Sequence, residues 1–427
     1  MNRPSVEALP DPLEQSEFPP FTAVRYEPPA PREDAVEATT RRETSELVDE
    51  LPSGATIAVG LGSRGIHDIE SIAPAVIDAF DEQGFDPVVV PAMGSHGGAT
   101  AEGQRRTLAA LSLTEETLGC PIDARMETET VGQTSFGEPV YFSTAALEAD
   151  AVTVINRVKP HTNFAGEIES GLCKMLTIGL GKRNGAQSIH EQALVHGYVP
   201  VIEDAFGEIC ETVRFLGGIA IVENFYDRTA AIEGITAGNL PHRESELLVR
   251  AQQHLPTLPY DTVDVLIVDR IGKDISGTGM DTNVVGRYQV LNTDEPETPD
   301  IKRIVVRGLT EETHGNGHGI GLADITTTDV IDELDLEQMY TNALTSNSLK
   351  RSKLPVAMPN EQLALSTAFS TVGTSDPESV RAVWLRDTGH LSSFAVSEAL
   401  ANESYDHVDH KGQRQLVFRD GKAALAP

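Results

Sequence analysis

The stretch from Ala55 to Thr100, ATIAVGLGSRGIHDIESIAPAVIDAFDEQGFDPVVVPAMGSHGGAT, is the most informative part of the chain about its architecture. Ala55 to Val59 is a short continuous apolar run, the pattern of a strand buried on both faces. A glycine loop follows, and then Ile69, Ala73, Val76, Ile77 and Phe80 recur at helical spacing until Gly84 stops the helix. Val88, Val89 and Val90 make the next buried strand, and Gly94-Ser95-His96-Gly97-Gly98 leads into a helix beginning near Ala101. This βαβα order predicts a parallel sheet with helices packed on it. Ligands in such folds gather beyond the carboxyl ends of the strands, so the loops after strands carry the functional reading.

Beyond this stretch, further strands are expected at Ala151 to Val158 and Ile219 to Glu223, with helices around Ile168 to Ile178, Ile202 to Phe215 and His242 to His254. Pro256 and Pro259 then break the pattern. Alternation resumes with strands at Val263 to Val268, Ile304 to Val306 and Val383 to Leu385, and helices near Val330 to Leu344 and Glu361 to Phe369. Upstream, eight prolines before Arg32 forbid regular helix and favour an extended arm lying on the body or on a partner subunit. The expected fold class is α/β: two α/β domains with mainly parallel sheets and an active-site cleft between them. The expected divisions are an arm at 1–35, an N-terminal catalytic and cofactor-binding domain at 36–258, and a C-terminal domain at 259–427 that completes the substrate site.

The formal charge of −32 argues against nucleic acid or an anionic membrane as a partner, since either would be repelled. With 40% hydrophobic residues the chain can build a core, so the acidity belongs to a folded surface. Only 9 of the 33 basic residues are lysines, a balance that points to concentrated salt. Cys120, Cys173 and Cys210 form no CxxC pair, which disfavours a disulfide framework or a thiolate zinc site. The acidic N-terminus has no apolar core and no run approaches the roughly 20 apolar residues that span a bilayer. A soluble, cytoplasmic protein is expected.

Gly60-Leu61-Gly62-Ser63-Arg64-Gly65 fits GxGxxG between a strand and a helix. The next strand, however, ends in Pro91-Ala92-Met93 where a ribose-binding acid would stand, so the loop reads as a tight turn or an anion site, with a nicotinamide dehydrogenase the weaker alternative. His96 after one strand and Lys159-Pro160-His161 after another place two imidazoles at strand ends, either as acid and base or as partners of loop carbonyls. Lys174 lies among Gly171, Leu172, Cys173, Met175 and Leu176, where a solvated lysine is out of pattern. It reads as a desolvated nucleophilic amine or as a chain snorkelling from a helix edge. Lys182 reads as a solvent-facing helix end, His190 as a single metal ligand, and Cys173 as core packing. His314 and His318 sit in a glycine-rich loop, His67 and His196 beside the candidate site, and His407 and His410 in solvent.

The order GSHGGAT, then KPH, FAG, a lysine and a histidine 16 residues beyond it resembles the nickel-dependent lactate racemase family and its 2-hydroxyacid racemase and epimerase relatives. The resemblance covers most of the first domain and, more loosely, the second. It implies a nickel pincer nucleotide tethered to Lys174 with His190 on the nickel, installed by cofactor-loading enzymes, and His96 with His161 as the acid and base. Arg64 and Ser95 would help hold the cofactor, and Lys159 the substrate. The segment PHTNFAGEIESGLCK has no arginine beside its lysine, and Met280-Asp281-Thr282-Asn283 is followed by Arg287, Tyr288 and Gln289 in place of the family's lactate-binding residues. The implied activity is therefore inversion at C2 of a small 2-hydroxyacid larger or more polar than lactate, with Arg287 a candidate for its carboxylate. A noncatalytic or cofactor-free binding relative is the alternative, and a homo-oligomer is compatible with either.

Overall fold

The computed structural model describes residues 3–48 and 50–427. The proline-rich start contains two short 3-10 turns, Val6–Ala8 and Gln15–Glu17, and then strand β1, Phe21–Tyr26. The helix Val36–Ser45 follows, and from Thr56 the chain builds the elements read from its βαβα pattern. They are β2 (Thr56–Leu61), the helix Ile69–Glu82, β3 (Asp86–Pro91) and the helix Ala101–Ala110. A small antiparallel pair, β4 (Thr128–Gln133) and β5 (Pro139–Ser143), precedes β6 (Ala151–Arg157). β7 (Phe215–Glu223) and β8 (Thr229–Thr236) complete a five-stranded sheet of order β3-β2-β6-β7-β8. β3, β2, β6 and β7 run parallel, and only β8 is antiparallel.

Both faces of this sheet are covered. Ile57, Val59 and Leu61 join Ile72, Val76 and Phe80 in one apolar layer, while Ala58 packs with Val154, Leu172, Leu176 and Ile202 in the other. Burial on both sides explains why β2 and β6 read as unbroken apolar runs. At about 25 cal/mol per Å² removed from water, each large side chain in these layers contributes about 1.5–3 kcal/mol.

The chain divides into two compact units, one of Pro29–Leu255 and one of residues 3–28 with Pro256–Pro427. In the second unit β9 (Thr262–Val268), β10 (Asp300–Val306), β11 (Ile325–Thr327), β12 (Val356–Met358) and β13 (Ala382–Leu385) pair in parallel, in the order β12-β11-β10-β9-β13. β14 (Ser393–Ser397), β1, β15 (Val408–Arg419) and β16 (Lys422–Ala426) extend that sheet antiparallel. The arm thus enters this sheet as an internal strand, with Phe21 and Phe18 in its core.

Three helices differ from their expected form. The segment expected to be helical from Ile168 begins helix only at Leu172, winds into a π turn over Met175–Gly179, and continues as the helix Lys182–His196. The next helix is Tyr198–Thr212, and Phe215 already belongs to β7. The helix expected over Val330 to Leu344 is two, Thr328–Glu333 and Leu336–Thr345, because Asp335 caps the second through Gln338 N–H. The helix His242–His254 ends before Pro256 as read.

Candidate active site

β3, β2 and β6 are adjacent and parallel, so their carboxyl ends lie side by side and bring three loops together. The loop after β2 carries Ser63 and Arg64, the loop after β3 carries Ser95 and His96, and the loop after β6 carries Lys159 and His161. Lys174 and His190 come from the helical segment that follows β6. All these residues belong to the N-terminal unit.

Two aromatic rings organise the site. Phe164 and Tyr198 stack with centroids 4.5 Å apart, and the His161 ring lies 4.6 Å from Phe164. The Lys174 Nζ stands 5.7 Å from the Phe164 centroid, and the His190 ring meets Tyr198 edge-on at 5.8 Å. The Tyr198 hydroxyl also shares a 3.1 Å hydrogen bond with His190 Nδ1. The amine and two of the imidazoles therefore border one rigid aromatic pair.

Carboxylates hold the loops from behind. Glu169, buried, accepts the backbone N–H groups of His161 and Gly166 and closes the loop that presents His161. Asn163 N–H donates to His161 Nδ1 at 3.1 Å, which leaves the proton of the neutral ring on Nε2. Glu244, also buried, reaches from the helix His242–His254 to accept the N–H groups of Leu172 and Cys173, the first turn of the segment bearing Lys174. A Cβ on Gly171 would collide with the Glu244 carboxylate, so this approach needs glycine. The His96 Nδ1 shares a hydrogen bond with the Ser63 hydroxyl, joining the loops of β2 and β3.

The electrostatics follow from burial and crowded cations. Desolvation, then the charges of Arg64 and Lys159, lowers the Lys174 amine to about 7. Its ammonium has no hydrogen bond or ion pair among the described residues. Burial, then Lys174, lowers His190 to about 4 and carries His161 well below the usual imidazole range. His96 stands more open, yet partial desolvation, then Arg64 and Lys174, lowers it as well. Burial raises Glu169 to about 7 against the pull of its two N–H donors. The site at neutral pH offers three neutral imidazoles, an amine poised to lose its proton, and the exposed Arg64.

Two residues singled out in sequence stand elsewhere. Arg287 lies in the C-terminal unit, where its guanidinium pairs with Asp324 at 2.9 Å and donates to the carbonyls of Leu322 and Ile301 at 2.7 Å each. That corrects its reading as an open carboxylate clamp, because its donor fork is taken up in joining neighbouring loops and strands. Lys182 is fully buried instead of solvent-facing. His318, in the same unit as Arg287, is buried with Nδ1 against the Ser352 hydroxyl at 2.9 Å. His196 stacks on Phe136 at 4.1 Å, His67 is held through its N–H by Glu223, and His407 and His410 are exposed. Cys173 is buried in the core, as read.

Sequence comparison bears on this architecture directly. Residues 40–198, which contain every one of the strand-end loops, match the family model of the lactate racemase N-terminal domain. This segment is similar to that family. The structure of the lactate racemase apoprotein from Thermoanaerobacterium thermosaccharolyticum is similar in fold, with a TM-score of 0.55 at 13% identity over 87% of this chain and 99% of that one. A protein from Thermotoga maritima aligns at 14% identity over 83% of this chain and 97% of that one, with a TM-score of 0.48. None of the curated proteins matches the chain in sequence. The match ends at Tyr198, the residue whose ring and hydroxyl touch Phe164 and His190.

Sequence reasoning missed Ser63, Phe164, Glu169, Tyr198 and Glu244. Phe164 and Ser63 were visible inside the quoted FAG and GSRG segments. Glu244 lies 70 residues beyond Lys174 in the chain, and no local pattern marks it.

Proposed function

We propose that this protein is a racemase or epimerase acting at C2 of a 2-hydroxyacid other than lactate, in the cytoplasm, with a nickel pincer nucleotide held by Lys174 and His190. The observation that carries the reading is the Lys174 amine. It is half-buried, unpaired among the described residues, lowered to about 7, and bordered by neutral imidazoles from two adjacent strand ends and from the following helix. A neutral amine is the nucleophilic form a covalent attachment needs.

The donor set fits such a group. No cluster of three His, Cys, Asp or Glu able to hold a metal ion exists among the described residues. One half-buried imidazole, unprotonated above about pH 4, suits a metal whose other ligands come from an organic carrier. Tyr198 on Nδ1 would fix the orientation of that ring. Arg64 and Ser95 stand at strand ends where they can meet the carrier's polar groups.

An α-proton beside an ionised carboxylate is hard to remove, so inversion by hydride movement is favoured over carbanion chemistry. When bound, the group supplies reversible acceptance of the C2 hydride. Arg64 and Lys159 draw in and orient the substrate carboxylate. His96, when it gives Nδ1–H to Ser63, offers the Nε2 lone pair to the C2 hydroxyl proton. His161, its Nε2 protonated, hydrogen-bonds the same oxygen as it becomes a carbonyl, and His96 hands the proton back to that oxygen when either enantiomer forms. Glu169 keeps the His161 loop closed through the cycle.

Intact-protein mass after coexpression with the cofactor-building enzymes tests the reading. A nucleotide-sized increase mapped to Lys174, with nickel bound and both lost in Lys174→Ala, is expected. An unmodified, nickel-free protein, under conditions that load an authentic lactate racemase, would sink it.

A further inference from the structure

The helix Lys182–His196 opens on a lysine to which the proposed chemistry gives no task. Lys182 is fully buried, and its Nζ donates to the Pro91 carbonyl at 2.7 Å and to Gln104 Oε1 at 3.4 Å. Pro91 is the last residue of β3. Gln104, in the helix Ala101–Ala110, is itself fully buried and donates through Nε2 to the carbonyls of Gly94, at 3.1 Å, and His96, at 3.4 Å.

One ammonium and one amide thus join the end of β3, the helix behind it and the loop bearing His96. The loop needs such a fastening. Gly94, Gly97 and Gly98 all have positive φ, and a chain so rich in glycine has little stiffness of its own. The helix also lies hard against the loop, since a Cβ on Gly103 would overlap the Gly97 carbonyl oxygen. Lys182 holds φ at +52°, a conformation that is uncommon for any residue but glycine, asparagine or aspartate. Burial lowers its amine to about 8, with Asp123 and Glu127 pulling the other way. Strain and desolvation are both unfavourable, and a merely apolar residue would avoid the second.

We propose that Lys182 is a positioning residue that acts through Gln104 to set the place of the His96 ring against Ser63. For its effect on turnover this rests on the reading of His96 as a proton-transfer group, but its structural half is measured without turnover. The same helix bears His190, so one element would set both His190 and the His96 loop.

The test is ¹⁵N NMR of histidine-labelled apoprotein, wild type against Gln104→Glu and Lys182→Met, with His96 assigned by its loss in His96→Gln. Gln104→Glu keeps a partner for Lys182 but removes both amide donors to the loop. In both variants the His96 Nδ1 and Nε2 signals should move toward those of a solvent-exposed imidazole, and its titration midpoint should rise toward the ordinary value. The His161 and His190 signals should stay in place, which shows that the fold is kept. In loaded enzyme kcat should fall by about tenfold or more with KM within about twofold, the pattern of lost orientation. Unchanged His96 signals in Gln104→Glu would overturn the proposal, even if Lys182→Met does not fold. Should the signals move while His96→Ala retains full isomerisation, the positioning would stand and the assigned role of His96 would fall.

Discussion

Lys174 is the residue on which the chemistry turns, and its pH behaviour is open to direct measurement. A lysine lowered to about 7 is half neutral there, whereas ordinary lysines remain almost wholly charged. Limited labelling with an amine reagent, read by peptide mass, should modify Lys174 with a midpoint near pH 7, far below the other lysines. The sign for stability follows from the same shift. Between about pH 7 and 10.5 the unfolded chain binds a proton at this site that the folded chain does not, so stability should rise with pH across that window. A midpoint near 10 would remove the argument for covalent attachment. At the two proposed acid–base residues, His96→Ala and His161→Ala should load cofactor normally and lose about 10²–10⁴-fold in isomerisation, the range for a general acid or base. Full activity in either variant refutes its role. His190→Ala should lose nickel while the organic mass on Lys174 remains, which separates tether from metal ligand by mass and metal analysis alone.

At the scale of elements, the segment bearing Lys174 is held by the Glu244 carboxylate on two N–H groups of its first turn. Glu244→Ala would leave both donors buried and unpaired, and each such group costs about 1–3 kcal/mol. A loss of about 2–6 kcal/mol in urea unfolding of the chain is expected. Glu244→Gln, which keeps an acceptor oxygen, should lose much less. Equal losses would show that the charge, and not the acceptance of these bonds, is what matters. The contrast between Glu244 and His96 shows what the sequence could reveal. His96 and His161 were legible because parallel strands buried on both faces leave unmistakable apolar runs, and the residue after such a run is placed by the fold itself. Glu244 and Lys182 act through contacts with residues about 70 or more positions away, Cys173 and Gln104, so no window of sequence contains both partners. The antiparallel strands of the C-terminal unit were hidden for another reason. β15 is exposed along most of its length, and VDHKGQRQLVFR carries no alternating apolar signal until its last third. β1 was masked by the prolines around it, though Phe21 and Val24 are fully buried in the strand it forms.

For the whole molecule, the −32 charge and the basic site have to be reconciled. Arg64, Lys159 and Lys174 act together on the site's imidazoles, so a positive region is built into an acidic chain. That arrangement suits an anionic substrate once the acidic surface is screened. The Debye length is about 8 Å at physiological ionic strength and about 3 Å at 1 M salt. At low salt the acids repel one another across the surface and oppose the compact state. At high salt each interacts only with its immediate neighbours. Ion pairs such as Arg125 with Asp123 and Glu148 are surface-exposed and lose their attraction in the same salt, but exposed pairs are each worth only about 0–1 kcal/mol. With 65 acids against 33 bases the repulsive contribution is the larger, so its removal should dominate. The thermal midpoint should therefore climb steadily from about 0.05 M to about 2 M KCl, and the rise should be steepest at the low end, where the screening length changes most. Replacing KCl with an equal concentration of a neutral osmolyte should not reproduce that low-salt rise. A midpoint that stays flat or falls as salt is added would mean that ion pairing outweighs repulsion, and that the acidic composition is not an adaptation to concentrated salt.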